Sequence, residues 1–94
     1  MYQVEWTEFG KDTYAELIDS IMSTSLDAAI SLDEKIEKLT NSLATFSHIC
    51  PRSLKIPRYR RCVITKNVSM LYEIRGRMIF IIAVLDNRAQ HLFM

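Results

Sequence analysis

The spacing of apolar and polar positions changes period along this chain, and each change marks an element. Phe9, Tyr14, Leu17, Ile18, Ile21 and Met22 recur at near 3.6-residue spacing, which predicts an amphipathic helix over residues 8–22. Thr7 is placed to cap it and Glu8 lies in the first turn, where the helix dipole favours an acid. Gly10 is expected to weaken that turn. Ser23-Thr24-Ser25 interrupts the pattern with hydroxyls that cap better than they continue a helix. Ala29, Leu32, Ile36, Leu39, Leu43 and Phe46 then step by three or four, giving a second helix from Leu26 to Phe46 capped by Thr24 or Ser25. Two helices joined by so short a turn make an antiparallel hairpin. The same stripe would suit a coiled-coil dimer, but it is short and soon gives way to strand patterns, which favours an intramolecular core.

Beyond residue 58 the period falls to two. Arg60–Thr65, Val68–Arg75 and Arg77–Asp86 read as three strands separated by the turns Thr65-Lys66-Asn67 and Arg75-Gly76-Arg77. In the second of them Val68, Met70, Tyr72 and Ile74 share one face, and Ser69, Leu71 and Glu73 the other. Ile79 to Leu85 is apolar at every position, as a central strand covered on both faces requires. Tyr2–Trp6 alternates like a short edge strand, Ser47–Arg58 with Pro51 and Pro57 is the one long loop, and Asn87–Met94 is a short tail. The expected fold is α+β, one domain over residues 1–94. An N-terminal strand is followed by an antiparallel helical hairpin and a three-stranded antiparallel meander, in the order β-α-α-β-β-β. The hairpin packs on one face of a twisted sheet, the first strand joins at an edge, and the other face is left for a partner.

Composition narrows the class. The chain of 94 residues is 49% hydrophobic with two Gly and two Pro, enough for one modest core without staples. The start lacks a basic segment followed by an apolar one, and the longest apolar run, Met78–Leu85, is far shorter than the ~20 residues a spanning helix needs. The expectation is a cytoplasmic protein with no membrane contact. Cys50 and Cys62 have no motif spacing and are expected to be free thiols. Their scatter with His48 and His91 gives no metal set, and no cofactor is expected.

Charge is divided between the halves. Residues 1–46 carry three Lys against nine acids, a net of −6, whereas residues 47–94 carry nine Lys and Arg against Glu73 and Asp86, a net of +7. Seven of those nine cations are Arg, whose planar fork suits phosphates and carboxylates. The basic half therefore points to an anionic partner, either nucleic acid or an acidic protein segment. Mutual attraction of the two halves is the plainer alternative.

No glycine-rich phosphate loop, nucleophile elbow or spaced His/carboxylate pair is present. Metal-free RNA cleavage would need a base for the 2′-hydroxyl, cations at the phosphate and an acid for the leaving oxygen. Glu73 and His91 are the candidates for base and acid, with Arg88 as the cation. The plainer reading makes Glu73 a solvated strand residue paired with an Arg and His91 a tail residue.

The order of elements, together with Val63-Ile64-Thr65-Lys66-Asn67-Val68-Ser69, Leu71-Tyr72-Glu73-Ile74 and Asp86-Asn87-Arg88, resembles the RelE/ParE superfamily of toxins from bacterial type II toxin-antitoxin modules. The resemblance covers nearly the whole chain. In the RelE-type branch it implies a ribosome-dependent mRNA endonuclease. The residues of that branch are only half matched here: Ser69 stands at a second-strand arginine position, Asn87 or Arg88 at a basic position after the last strand, Phe93 at a C-terminal tyrosine near His91, and Arg60 at a basic position of the first meander strand. These departures are similar to the ParE-type branch, which implies a toxin that binds DNA gyrase without hydrolysis. A non-toxic member that keeps only the fold and the antitoxin site is the third reading.

The resemblance also implies a cognate antitoxin, acidic in its toxin-binding segment, that adds a strand or helix to the sheet. It leaves open a homodimer or a toxin–antitoxin heterotetramer. Arg60, Arg61, Lys66, Tyr72, Arg75 and Arg88 are the residues expected to meet target or antitoxin.

Overall fold

A computed structural model describes residues 1–88. The elements follow the expected order: β1 (Gln3–Trp6), α1 (Glu8–Met22), α2 (Leu26–Leu43), β2 (Tyr59–Thr65), β3 (Val68–Arg75) and β4 (Met78–Asp86). They form one four-stranded sheet in the order β1-β4-β3-β2. The all-apolar strand β4 is thus central, and β1 joins it at the edge in parallel, with Val4 opposite Ile79. The meander is antiparallel throughout.

Both helices begin as their caps dictate. The Thr7 hydroxyl accepts from the Gly10 N–H at 2.9 Å, and the Ser25 hydroxyl accepts from the Ala28 N–H at 3.1 Å. Helix α2 stops at Leu43, three residues short of expectation. The N–H groups of Thr45 and Phe46 both turn back to the Ser42 carbonyl, and Phe46 lies outside the apolar stripe with 62% of its surface exposed. The hairpin packs on one face of the sheet, where Leu32, Ile36 and Leu43 meet Met70, Tyr72, Ile79, Ile81 and Val84.

The opposite face is not bare. Tyr59, Leu71, Ile82, Ala83 and Leu85 form a second buried cluster with Ile56 and Phe80 packed against it. A bulge in β4 explains the uneven division of its side chains. Leu71 pairs with Ala83 and Tyr72 with Ile81, so Ile82 is supernumerary. Ile79, Ile81 and Val84 therefore face the helices, while Phe80, Ile82, Ala83 and Leu85 face the other way.

The bulge is also where α1 is anchored. The Thr7 hydroxyl donates to the Ile81 carbonyl at 3.0 Å, and the Thr13 hydroxyl accepts from the Val84 N–H at 3.1 Å. Gly10 belongs to this contact and is no mere weak point of the helix, because its missing side chain lets the helix lie directly on Ile81. At the far end of β4, Gly76 adopts φ +59° at the first position of the two-residue β3–β4 turn, as a tight hairpin of this kind requires.

Candidate functional site

The loop from Ser47 to Arg58 does not stray into solvent. It folds back along the outer edge of β2: Ser53 N–H donates to the Tyr59 carbonyl at 2.8 Å, Arg61 N–H donates to the Pro51 carbonyl at 2.9 Å, and Arg52 pairs with Arg60 in an isolated antiparallel bridge. This return sets Cys50 across from Cys62 with their Cα atoms 5.2 Å apart, and the two form a disulfide. The expectation of free thiols is therefore corrected. Twelve residues of separation say nothing of proximity until the loop is known to run antiparallel to the strand.

Two further contacts hold the loop. The Tyr72 hydroxyl, fully buried, donates to the Ser47 carbonyl at 2.7 Å and accepts from the Cys50 N–H at 3.4 Å. Arg60 donates through Nη1 to the Cys50 carbonyl at 2.7 Å. Burial, the main cause, raises the Tyr72 pKa above its usual value, opposed by the Cys50 N–H and the charge of Arg60.

Between this loop and α2 lies a groove of about 670 Å³. Its apolar lining includes Leu39, Ile49, Leu54 and Val63, its charged lining includes Lys35, Arg52 and Arg61, and no acid lines it. Leu54 is 99% exposed, Val63 62% and Ile49 55%. Large apolar side chains displayed together beside a strand edge are the composition of a protein-binding surface.

At the start of β2 a smaller hollow of about 290 Å³ is lined by His48, Arg52, Arg58, Arg60 and Glu73 among others. The Glu73 carboxylate accepts from Arg75 at 2.8 Å and its side chain is only 12% exposed. The Arg58 guanidinium lies 5.0 Å from the centre of the Tyr59 ring and donates to its hydroxyl at 3.3 Å.

The residues singled out in the sequence are scattered over the molecule. Arg60, Glu73 and Arg75 gather at the first end of β2. Arg61 lines the long groove and donates to Asn87 at 3.3 Å. Lys66 is exposed in the β2–β3 turn. Tyr72 lies fully buried in the core, where its hydroxyl holds the loop. Arg88 forms a two-pronged pair with Asp86, at 3.1 and 2.9 Å, at the other end of the sheet. Since Val68 pairs with Asp86 and Glu73 with Phe80, Glu73 and Asp86 are separated along β3 by roughly 17 Å at the usual strand rise. Glu73 and Arg88 are therefore not neighbours. His91 and Phe93 lie outside the described residues.

Sequence reasoning weighed His48 only as a metal ligand and passed over Lys35, Ile49, Arg52, Leu54 and Arg58 as site residues. Isolated apolar residues within a proline-punctuated loop, Ile49 and Leu54, were the available signal for the groove; nothing local tied Arg52 and Arg58 to Glu73.

The model of the family described as the ParE toxin of the type II toxin-antitoxin system, parDE, matches residues 4–91. This chain belongs to the ParE toxin family. No curated protein sequence matches it. Among solved structures, this ParE-family chain is similar to a protein of a chromosomal ParDE toxin-antitoxin system from P. aeruginosa, with a TM-score of 0.73 and 16% identity over 92% of this chain and 96% of the other. It is also similar to a copper-bound mutant toxin from Helicobacter pylori, with a TM-score of 0.65 and 13% identity over 94% and 97% of the two chains. These two likenesses establish the α+β toxin fold expected from the order of elements.

Proposed function

We infer that this ParE-family toxin arrests growth in the cytoplasm by binding DNA gyrase, and that a cognate antitoxin neutralises it by occupying the groove along β2. The family match over residues 4–91 carries the first part. The separation of Glu73 from Arg88 supports binding over RNA cleavage, because those groups would have to act on one phosphate. The groove supports the second part: apolar side chains for anchors, and cations without acids for a carboxylate-rich segment.

Inducible expression in a bacterial host, with and without the antitoxin, tests this reading. The expected result is arrest with an induced DNA damage response, intact translated mRNA by primer extension, and relief on antitoxin co-expression. Inhibition of gyrase supercoiling by the purified toxin is the matching result in vitro. Ribosome-dependent cuts in mRNA would instead make the protein a nuclease, and growth without arrest would leave a non-toxic antitoxin-binding fold.

A further inference from the structure

The hollow at the start of β2 is a different kind of surface from the groove. Arg52 and Arg60 are directly paired across the antiparallel bridge, where like charges are mutually destabilising. Arg58 adds a third guanidinium to the same lining and His48 an imidazole. The one carboxylate of the lining, Glu73, pairs with Arg75 at 2.8 Å and also attracts Arg58, which still leaves the lining with an excess of positive charge. The Arg52 side chain has no hydrogen-bond or ion-pair partner among the described residues.

Two of the three guanidiniums are held in place before any ligand arrives. Arg60 is tied to the Cys50 carbonyl at 2.7 Å, within a loop fixed by the disulfide. Arg58 rests over the Tyr59 ring. Preset donors lose little freedom on binding an anion. The shape of the cluster also selects the anion. A carboxylate offers two oxygens in one plane, whereas a phosphate offers several oxygens in a tetrahedral array to forks arriving from different directions. The lining gives no run of exposed apolar side chains to anchor a peptide; those lie in the groove with Leu39, Ile49 and Leu54.

We propose that this hollow is a phosphate-binding site, built by Arg52, Arg58 and Arg60 with His48 at its margin, that takes a phosphate ester. The ester is either a backbone phosphodiester of nucleic acid or a free phosphate. The site adjoins the antitoxin groove, with which it shares Arg52, but draws Arg58 and Arg60 from outside it, and it does not depend on which target the toxin poisons.

The test uses the full-length toxin without antitoxin. Fluorescence anisotropy follows binding of a labelled single-stranded DNA of about 12 nucleotides over a range of salt concentrations. One phosphate held in the hollow predicts a contribution of about −0.7 to the slope of log K against log salt. The double variant Arg52→Gln, Arg58→Gln should lose most of that contribution, and its affinity should fall at least tenfold at low salt. Arg60 is left intact because it holds the loop. A control with the same charge change on the helices, Lys11→Gln with Lys38→Gln, should keep the wild-type slope. Competition with inorganic phosphate, read by NMR shifts of the loop and β2 amides, separates the sources. Shifts without measurable DNA binding assign the site to free phosphate, and DNA binding that phosphate displaces assigns it to the nucleic-acid backbone. Equal behaviour of the double variant and the control, or no response to either ligand, overturns the proposal.

Discussion

Gly10 stands so close to Ile81 that a Cβ on it would lie 2.4 Å from the Ile81 carbonyl oxygen, and 3.2 Å from the Thr7 hydroxyl. The nearest neighbour is backbone at a β-bulge, which cannot rotate away as a side chain would. Gly10→Ala should therefore destabilise the protein by about 1–3 kcal/mol as an overpacked contact does, although alanine in an ordinary helix position would gain about 1 kcal/mol. Urea denaturation followed through Trp6, the only tryptophan and packed 5.5 Å from the Tyr14 ring, measures the difference. A stabilised variant would mean that α1 shifts freely on the sheet.

The disulfide closes the loop whose return forms the groove wall. Cys50→Ser or Cys62→Ser should cost about 3 kcal/mol, as expected for a closed loop of this size. Adding a strong reductant to the wild type should cost about the same and add nothing to either variant. Coincident urea midpoints for oxidised and reduced wild type would show that the hydrogen bonds from Ser53, Arg61 and Tyr72 hold the loop without the covalent link.

What could be read from the sequence was what local pattern controls. Thr7 and Ser25 cap as their positions suggest, because an N-cap is decided within four residues. The central place of β4 followed from its unbroken apolar run. Non-local geometry was not legible. Only the return of the loop along β2 brings Cys50 to Cys62, and only the Ile82 bulge explains both Gly10 and the second buried face. For the site, the arginine excess marked the sheet half as the basic one. It did not separate Arg60, at the hollow, from Arg88, which Asp86 already holds at the other end.

Tyr72 couples the core to that loop and should give the protein an alkaline limit. Burial keeps its hydroxyl protonated in the folded chain at pH values where the unfolded chain has ionised. Its contribution is therefore complete below the ordinary tyrosine value of about 10 and is lost as pH rises from there through the raised folded value. Tyr14, partly buried and hydrogen-bonded to Asp33, shifts in the same direction and adds to the effect. Tyr72→Phe should flatten part of this alkaline decline. At neutral pH it should cost about 1–3 kcal/mol, since the buried Ser47 carbonyl loses its donor. Thermal unfolding between pH 8 and about 11 checks both statements; an unaltered alkaline slope in the variant would assign the decline elsewhere.

The antitoxin groove makes the sharpest demand on the proposed function, because its anchors cost the free toxin almost nothing to change. Leu54 is almost entirely exposed, so Leu54→Asp should leave stability within about 0.5 kcal/mol. The same substitution puts a carboxylate among the apolar side chains where an acidic antitoxin segment would dock. Binding should weaken by about 10–100-fold, the scale of losing one anchoring side chain and gaining a like charge. Lys35→Glu should weaken it less and with a strong salt dependence, as a charge at the margin of an interface does. Arg88→Glu should have little effect on affinity, since Arg88 does not line the groove and is occupied by Asp86. Calorimetric titration of the three variants against the purified antitoxin distinguishes these cases. Loss of binding in Arg88→Glu with normal affinity in Leu54→Asp would move the antitoxin off the groove, to the rim next to Asn67 and Asp86.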